Sequence, residues 1–408
     1  MAGSSFAEAS LADIADFRNG KAISPQNYTP TGSHPVFGSN GEIARTNEVL
    51  NPKPVIAIGR VGAYCGCVHY IPRPSWVTDN AIVAQPKGSN DLRFLFYLLG
   101  SLELRRTAIG SAQPLMTQGG LKALRTPVPP LAEQKAIAAV LGALDDKIEL
   151  NRRMNATLEA MARALFQSWF VDFDPVRAKL DRSRPDGLDK ATTALFPAAF
   201  QDSPLGPIPN GWDVGSILRQ ADLLSGGTPK TDVSAYWDGD IPWASAKDVS
   251  QCGEAFLIST ERTITKLGVD ESSTKIIPSL ATVVVARGAT TGRLTMFGES
   301  MAMNQTCYGL RSKVGAPFAL YCHARHFIDR LVQGGHGSVF DTITTSTFEA
   351  TDVLLAPKEV LQAFDEHVTP LFQRVRANIH QSRTLATLRD TLLPKLLSGE
   401  IGPTTEGS

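Results

Sequence analysis

Two stretches of the sequence carry the same long helical pattern, IAAVLGALDDKIELNRRMNATLEAMARAL at residues 137–165 and FDEHVTPLFQRVRANIHQSRTLATLRDTL at residues 364–392. Each has mainly apolar residues at every seventh position and an asparagine at the middle one. The residues at this heptad position are Ile137, Leu144, Asn151, Leu158 and Leu165 in the first stretch, and Phe364, Leu371, Asn378, Leu385 and Leu392 in the second. This repeat predicts helices that pack along other helices.

The two central asparagines indicate that the helices pack together in a fixed register. A buried amide costs stability, but it penalises every register in which it is left unpaired. We therefore expect the stretches to form an antiparallel coiled coil. Val140, Met154 and Met161 occupy a second heptad position of the first helix, which Lys147 interrupts. The alternative is two independent amphipathic helices, each lying on its own domain.

Each long helix ends one of two copies of the same sequence plan, offset by 227 residues. At this offset Arg60 falls on Arg287, Thr117 on Thr344, Pro130 on Pro357 and Asn151 on Asn378. Such a repeat indicates a duplicated structural unit. We expect a first globular domain at 1–130, a long helix at 131–170, a connector at 171–211, a second domain at 212–357 and a second long helix at 358–401. A 40-residue helix is about 60 Å long, enough to act as a ruler between domains.

The globular parts predict an α+β fold, with two mixed domains related by an internal pseudo-two-fold repeat. Short apolar, β-branched runs between turn residues indicate buried strands. These runs are Val55–Ile58, Ala81–Ala84, Thr282–Ala286 and Val353–Leu355, and a helix is expected over Leu92–Arg105. The connector is rich in proline and turn residues, which is typical of a link between domains.

The composition is that of a globular protein, with 43% hydrophobic and 20% charged residues among 408. No segment approaches the roughly 20 apolar residues of a membrane span, and residues 1–10 lack the pattern of a secretory signal. We expect a cytoplasmic protein whose five scattered cysteines are reduced. Because the net charge is zero, DNA binding would require local basic surfaces.

Motifs for enzymatic chemistry on DNA are missing from the sequence. Residues 51–54, Asn-Pro-Lys-Pro, lack the aromatic residue with which an amino-methyltransferase stacks a flipped base. No phosphate-binding Gly-x-x-x-x-Gly-Lys-Ser/Thr loop occurs. The carboxylates of residues 185–190 are crowded into one linker turn rather than arranged as in a nuclease. The chain is therefore expected to be non-catalytic.

Two groups of cysteine and histidine residues are candidate metal ligands. Cys65, Cys67 and His69 lack a second ligand pair at zinc-site spacing, so a half-buried strand is the better interpretation. His323 and His326 follow Cys322 on an expected helix, where core packing is the better interpretation. We expect no metal site.

The remaining candidate chemistry is DNA recognition by polar residues on glycine-containing loops. Arg and Lys bind guanine or phosphate, Asn and Gln bind adenine, and Ser and Thr bind either. The candidates in the first copy are Ser39, Asn40, Arg60, Tyr64, Ser111, Gln113, Thr117 and Gln118. Those in the second are Thr228, Lys230, Lys247, Arg287, Thr290, Thr291, Arg293, Ser338, Thr342 and Thr344. The alternative for each loop is ordinary turn chemistry, and core packing is favoured over base stacking for the tryptophans at 237 and 243.

Five stretches give the sequence a resemblance to a known family. They are PVFGSNG at 35–41, PLAEQKAI at 130–137, SWFVDFDP at 168–175, SGGTPK at 225–230 with YWDGDIPW at 236–243, and LLPKLLSGEI at 392–401. Together they resemble the specificity subunits of type I restriction-modification systems. One departure is that Glu133 and Gln134 have no equivalent near Val360 and Leu361, so the two partner-binding faces could differ in detail.

The resemblance implies two target recognition domains that each read one half of a gapped double-stranded DNA site. It also implies two methyltransferase subunits and two restriction-motor subunits as partners. S-adenosylmethionine, ATP and Mg²⁺ are expected only in those partners. The competing hypotheses are a coiled-coil scaffold that bridges proteins without reading DNA, and an enzyme with its own methyltransferase or nuclease site. The missing motifs disfavour the latter.

Overall fold

The structure is a computed structural model that describes residues 6–110, 114–183, 187–334 and 342–402. Its contacts divide the chain into two units, Met1–Ile148 with Thr384–Ser408, and Glu149–Arg383. We call them unit 1 and unit 2. The mixed α+β class expected from the sequence is confirmed. Within the described ranges, no helix combines the length and the apolar character that crossing a membrane requires.

Unit 1 is built on a four-stranded antiparallel sheet and a three-stranded sheet. Its strands are β1 (Ala7–Ser10), β2 (Ala15–Asn19), β3 (His34–Gly38), β4 (Gly41–Thr46), β5 (Val55–Gly59), β6 (Val68–Ile71), β7 (Trp76–Val77), β8 (Ala81–Pro86) and β9 (Arg125–Val128). Its short helices are α1 (Leu11–Ile14), α2 (Leu92–Ser101) and α3 (Gln118–Ala123). The strand orders are β2-β8-β5-β6 and β4-β3-β7, and β1 pairs with β9.

Helix α4 (Leu131–Phe170) follows β9 in sequence and contributes residues to both units. The strands of unit 2 are β10 (Phe200–Gln201), β11 (Ile208–Pro209), β12 (Asp213–Ser216), β13 (Ala221–Ser225), β14 (Trp237–Ala244), β15 (Phe256–Leu257), β16 (Arg262–Ile264), β17 (Ile276–Ile277), β18 (Thr282–Val285), β19 (Leu294–Phe297), β20 (Met301–Met303), β21 (Cys307–Ser312) and β22 (Asp352–Leu355). The remaining helices are α5 (Asp174–Leu180), α6 (Lys190–Ala194), α7 (Ala246–Gln251), α8 (Lys266–Asp270), α9 (Pro317–Gly334), α10 (Thr345–Ala350) and α11 (Lys358–Leu397).

The sheets of unit 2 repeat those of unit 1 with additions. Their orders are β13-β21-β18-β19-β15 and β16-β14-β20-β17, with β12 paired to β22. Strands β13, β21, β18 and β19 match β2, β8, β5 and β6, and the parallel pair β14–β20 matches the parallel pair β3–β7. Strands β15 and β17 are the additions, so the duplication in the sequence is also a duplication of topology.

The apolar runs predicted as strands all form strands, although with slightly different ends. β18 ends at Val285 rather than Ala286, and β22 begins one residue early at Asp352. The predicted helix over Leu92–Arg105 is too long, because α2 ends at Ser101 and a separate 3-10 turn follows at Leu104–Thr107.

In unit 1, residues of α4 and α11 pack in one hydrophobic core. Ile137 and Leu141 of α4 are buried there with Leu396 and Leu397 of α11. One turn after Leu141, the carboxylate of Asp145 accepts hydrogen bonds from Tyr97 (2.6 Å) and Arg389 (2.7 Å). Residues later in α4 therefore contact residues earlier in α11, which shows that the two helices are antiparallel in this unit.

In unit 2, the same two helices pack through polar and then aromatic contacts. Asn151 donates hydrogen bonds to the side chains of Gln381 (2.9 Å) and Ser382 (3.1 Å). Farther along α4, the Phe166 ring lies 6.0 Å from the Phe364 ring. The helices are therefore antiparallel here too, and the alternative of long helices that do not touch is excluded in each unit.

The ten heptad residues lie on the packed sides of their helices, and none of them is exposed. Ile137, Asn151, Phe364 and Asn378 are buried, and Leu144, Leu158, Leu165, Leu371, Leu385 and Leu392 are partly buried. The second heptad position differs from expectation, because Val140 and Met161 are 37% and 53% exposed. A helix of 3.6 residues per turn drifts away from a strict seven-residue repeat.

The connector is more structured than its proline and turn content suggests. It forms α5, α6 and the β10–β11 hairpin, and it buries Phe196 in the core of unit 2, beside Trp212 at the start of the second domain. There the Trp169 ring at the end of α4 lies 5.1 Å from the Phe196 ring, in an edge-to-face arrangement. Burial of large aromatic rings is strongly stabilising, so this segment adds to the core.

Each long helix is also anchored near its start to a helix of its own domain. In unit 1, Gln134 of α4 accepts a hydrogen bond from the backbone N–H of Asp91, just before α2 (3.0 Å). In unit 2, Asp365 of α11 accepts one from the N–H of Ala319, at the start of α9 (2.7 Å). The Gln134 side chain is therefore engaged in an internal contact. In unit 2 the equivalent hydrogen bond is accepted by Asp365, one helical turn after Leu361, the residue that matches Gln134 in the repeat.

Candidate nucleic-acid interface

In unit 1, three loops predicted to read DNA meet where the central strand β5 ends. The N–H of Met116 donates to the carbonyl of Arg60 (2.9 Å), which joins the loop after β5 to the loop before α3. The Ser39 hydroxyl donates to the carbonyl of Asn80 (2.5 Å), and the Arg60 N–H donates to the same carbonyl (2.9 Å). The backbone therefore holds the turn at Ser39 and the loop at Arg60 side by side.

The side chains of this surface differ in how far they are exposed to solvent. Asn40 is exposed, and Tyr64 is 53% exposed. Arg60 is partly buried, with a long contact of 3.5 Å from its guanidinium to the carbonyl of Asp79. Gly62 has a φ of 70°, a left-handed conformation that glycine adopts readily, and it shapes the turn between Arg60 and Tyr64.

Thr117 and Gln118 have internal roles in the structure. The Thr117 hydroxyl accepts a hydrogen bond from the N–H of Gly120 (3.1 Å) and so caps α3. The side-chain amide of Gln118 lies against β2, where its nitrogen donates to the carbonyl of Phe17 (2.8 Å) and its oxygen accepts from the N–H of Asn19 (3.2 Å). These contacts hold the loop in place. Ser111, Gln113 and Ser338, three further predicted DNA contacts, lie outside the described residues.

Unit 2 has the corresponding loop after its central strand β18. Arg287 and Arg293 are exposed there, and Thr290 and Thr291 are partly buried between Gly288 and Gly292, whose φ values are 97° and 87°. Exposed guanidinium groups on a glycine-shaped loop suit contacts with phosphates or guanine.

The loop before α10 joins this surface in the same way as in unit 1. Arg287 and the exposed Thr342 form an isolated β-bridge, and the N–H of Ile343 donates to the carbonyl of Ala286 (2.8 Å). Thr344 caps α10, since its hydroxyl accepts from the N–H of Thr347 (3.3 Å). Thr117 and Thr344 are thus equivalent helix caps in the two units.

The other candidate DNA contacts in unit 2 differ in whether their side chains are already engaged within the protein. The Thr228 hydroxyl donates to the side-chain oxygen of Gln305, and Lys230 is exposed. Lys247 forms an ion pair with Glu261 at 2.6 Å, which occupies its ammonium group and raises the pKa of Lys247. DNA would therefore have to compete with Glu261 for this lysine.

The two tryptophans beside these residues belong to the core. Trp237 and Trp243 are buried, with their rings 5.2 Å apart and edge to face. Their indole N–H groups donate to the carbonyls of Lys230 and Gly227, each at 3.0 Å. Core packing, the favoured interpretation, agrees with this arrangement, and the rings hold the loop that carries Thr228.

The offset of 227 residues, which pairs Arg60 with Arg287, is one residue too large at this loop. The N–H of Arg60 donates to the carbonyl of Asn80, and in unit 2 the matching bond runs from Ala286 to Thr306 (2.8 Å). Arg60 therefore corresponds to Ala286 rather than to Arg287. Successive side chains of extended backbone point to opposite faces, which agrees with a partly buried Arg60 and an exposed Arg287.

One pair of loops in the same surface was missed by the sequence analysis. Residues 78–80 precede β8, and residues 304–306 precede β21; both lie between the loops already described. The side chains of Asp79, Asn80 and Gln305 are exposed. Short polar turns before a strand resemble ordinary turns in sequence, and only the sheet pairing shows where they lie.

Neither group of cysteines and histidines forms a metal centre within the described ranges. Cys65 is buried next to the loop at residues 60–64, and burial raises the pKa of its thiol. Cys322 and His323 are buried in unit 2, where burial raises the pKa of Cys322 to about 12 and lowers the pKa of His323 to about 4. Core packing accounts for these side chains.

Comparisons with known proteins agree with this architecture. A model of the "Type I restriction modification DNA specificity domain" matches residues 4–160 and again residues 209–374. The chain is 27% identical over 377 residues to the HindI type I restriction enzyme specificity subunit of Haemophilus influenzae, covering 80% of this chain and 81% of that one. It is 27% identical over 327 residues to the MjaIX specificity subunit of Methanocaldococcus jannaschii, covering 78% and 70%.

A solved structure also shares the fold. It is the S subunit of a type I restriction-modification system from M. genitalium, with a TM-score of 0.59 at 16% sequence identity. The match covers 97% of each chain.

Proposed function

The chain belongs to the family of type I restriction-modification DNA specificity proteins, and on that premise we propose that it selects the DNA sequence on which such an assembly acts. One observation carries the proposal. Each unit brings the same set of loops to the end of its central strand, joined by equivalent backbone hydrogen bonds. A duplicated reading surface is what recognition of a two-part site requires.

In this function, the surface of each unit binds one half of a gapped double-stranded site. Major-groove edges distinguish all four base pairs, so polar loop side chains can select sequence there. The two long helices, which contribute residues to both units, set the number of unread base pairs between the half-sites. Half-sites read from one side of the duplex lie about one helical turn, 34–36 Å, apart.

The chain acts without catalysis of its own and within a larger complex. Two methyltransferase subunits and two restriction-motor subunits complete it, and S-adenosylmethionine, ATP and Mg²⁺ bind in those subunits. The complex works in the cytoplasm. The family relationship and the missing catalytic motifs support this division of labour.

The distribution of charge supports a need for partners. Residues 1–130 contain twelve Lys and Arg against eight Asp and Glu, whereas residues 212–357 contain twelve against fifteen. Neutralisation of phosphates by Lys and Arg supplies much of the affinity of DNA-binding proteins. We therefore expect the second domain alone to have a low affinity for DNA. Partner subunits that surround the duplex would supply the missing contacts.

The test is a domain exchange in a host that carries the complete system. Residues 1–130 are replaced by the equivalent domain of a relative with a known site, and modified adenines are mapped across the genome. We expect a gapped motif in which one half changes and the other half is retained. A continuous motif, or one that is unaffected by the exchange, would refute the function and favour a bridging scaffold.

A further inference from the structure

The missed loops at residues 78–80 and 304–306 cross the candidate interface at the same place in both units. The carbonyl of Asn80 accepts hydrogen bonds from the N–H of Arg60 and from the hydroxyl of Ser39. The carbonyl of Thr306 accepts one from the N–H of Ala286. Each loop is therefore fixed at its last residue to the end of the central strand.

Two glycines establish which residues of these loops are equivalent. A Cβ atom on Gly20 would lie 2.2 Å from the carbonyl oxygen of Thr78, and one on Gly226 would lie 2.2 Å from that of Asn304. Both contacts are too close for any side chain, so the same close backbone approach occurs in each unit. Thr78 thus matches Asn304, and the next residues, Asp79 and Gln305, match each other.

Asp79 and Gln305 project polar groups that are open to a ligand. Both side chains are exposed. Among the described residues, none forms a hydrogen bond or an ion pair with the Asp79 carboxylate, and the contact from Arg60 is to the Asp79 backbone carbonyl. The Gln305 oxygen accepts from the Thr228 hydroxyl, which orients the amide. A carbonyl oxygen has two lone pairs, so this contact leaves one lone pair and the amide nitrogen of Gln305 for another partner.

The chemistry of the two groups indicates which atoms of DNA they can bind. A carboxylate is repelled by phosphates, but it can accept a hydrogen bond from the exocyclic amine of a base, as in the pairing of Asp or Glu with cytosine N4. A glutamine amide accepts and donates at once, which suits the N6 and N7 edge of adenine. The carboxylate is therefore unsuited to general attachment to DNA. The glutamine amide can also donate to a phosphate, but only a base edge uses its donor and its acceptor together.

We propose that Asp79 and Gln305 are equivalent specificity-determining residues, one in each half-site. Asp79 accepts a hydrogen bond from the exocyclic amine of one base in the first half-site, and Gln305 binds the N6 and N7 edge of an adenine in the second. The inference rests on the proposed function of the chain.

The experiment uses the full chain with its partner subunits, and it maps modified adenines after the isosteric changes Asp79→Asn and Gln305→Glu. Each should relax or change one base position in one half-site and leave the other half-site intact. A good base contact discriminates by about 1–3 kcal/mol, so modification at sites mismatched there should rise roughly five- to 150-fold relative to the intended site. Asp16→Asn and Gln373→Glu make the same two changes at exposed residues outside the loops and are the matched controls.

The outcomes separate this inference from the proposed function. A gapped motif in the wild type that both variants leave unchanged would overturn the assignment of Asp79 and Gln305 while retaining the function. A general fall in modification without a change at any base position would also overturn it, since that is the signature of a phosphate or folding effect. If the wild-type chain does not determine the motif, the proposed function itself fails.

Discussion

The side-chain amide of Asn378 donates a hydrogen bond of 2.8 Å to the side-chain oxygen of Asn155, where helices α11 and α4 pack in unit 2. Asn151, at the middle of the α4 heptad pattern, instead donates to Gln381, Ser382 and the carbonyl of Asn378. The side chain of Asn378 therefore pairs with that of Asn155, one helical turn after Asn151. A slipped register would leave several of these buried amides without partners, at a cost of about 1–3 kcal/mol each.

Replacing Asn378 with leucine should lower the free energy of unfolding by about 1–3 kcal/mol, because the oxygen of Asn155, a residue only 2% exposed, loses its partner. Urea denaturation of the purified chain measures the change. Gln373→Leu, on an exposed position of the same helix, should change stability by less than about 0.5 kcal/mol. Equal effects of the two substitutions would contradict the assigned pairing.

Asp145→Ala should destabilise the protein by about 1–3 kcal/mol, since both Tyr97 and Arg389 lose a charge-assisted hydrogen bond. Glu149→Ala is the comparison, because Glu149 forms an exposed ion pair with Arg153 at 3.2 Å. Such surface pairs contribute about 0–1 kcal/mol. Thermal and urea denaturation of both variants should give this order, and the reverse order would show that Asp145 does not hold the helices together.

Asp365 should make the protein less stable as the pH rises. Burial raises the pKa of its carboxyl from 3.8 to about 7, so the folded chain keeps a proton that the unfolded chain releases near pH 4. This contribution is fully present below about pH 4 and is lost as the pH rises through 7, up to about 4 kcal/mol at 1.36 kcal/mol per pH unit.

The variant Asp365→Asn should lack that decline when unfolding is measured by denaturant between pH 5 and 8. The exposed Asp240→Asn is its control and should retain the decline of the wild type. Parallel pH profiles for the wild type and Asp365→Asn would show that the carboxyl is ionised in the folded protein throughout this range.

His323 should have the opposite effect on the acid side. Burial against Phe166 lowers the pKa of His323 from 6.5 to about 4, so the folded protein excludes a proton that the unfolded chain binds. Its contribution is present above about pH 6.5 and is lost as the pH falls toward 4.

His323→Phe should therefore reduce the loss of stability between pH 6.5 and 4.5 in denaturant titrations. The partly exposed His34→Gln serves as the control and should leave the acid-induced loss as it is in the wild type. An unchanged slope in His323→Phe would exclude this histidine as a source of acid sensitivity.

The long helices and the main strands could be predicted because their signals are local and periodic. Seven-residue spacing predicts α4 and α11, and uninterrupted apolar runs predict β5, β8 and β18. The exposure of Met161 could not be predicted from the same pattern, because it depends on where along the helix the partner packs. Nor did the turn-rich connector reveal that Phe196 would meet Trp169 and Trp212, which flank the connector in the sequence, in one core.

The candidate interface was predictable in outline but not in detail. Glycine-containing loops with Ser39, Arg60 and Arg287 could be identified from the sequence alone. The position of Asp79 could not, since one exposed carboxylate in a short turn carries no local signal. It became identifiable only through the strand pairing that brings residues 78–80 beside Arg60.

The one-residue displacement between Arg60 and Arg287 bears on any attempt to transplant a loop from one half of the chain to the other. Numbering alone would graft each arginine onto the wrong side of its strand, because a shift of one position inverts inward and outward side chains. Hybrids should instead be joined at Gly59 and Val285, which face Ala81 and Cys307 in matching register. The two halves share the backbone hydrogen bonds at this loop but differ in residue count, so only a junction chosen by strand register preserves those bonds.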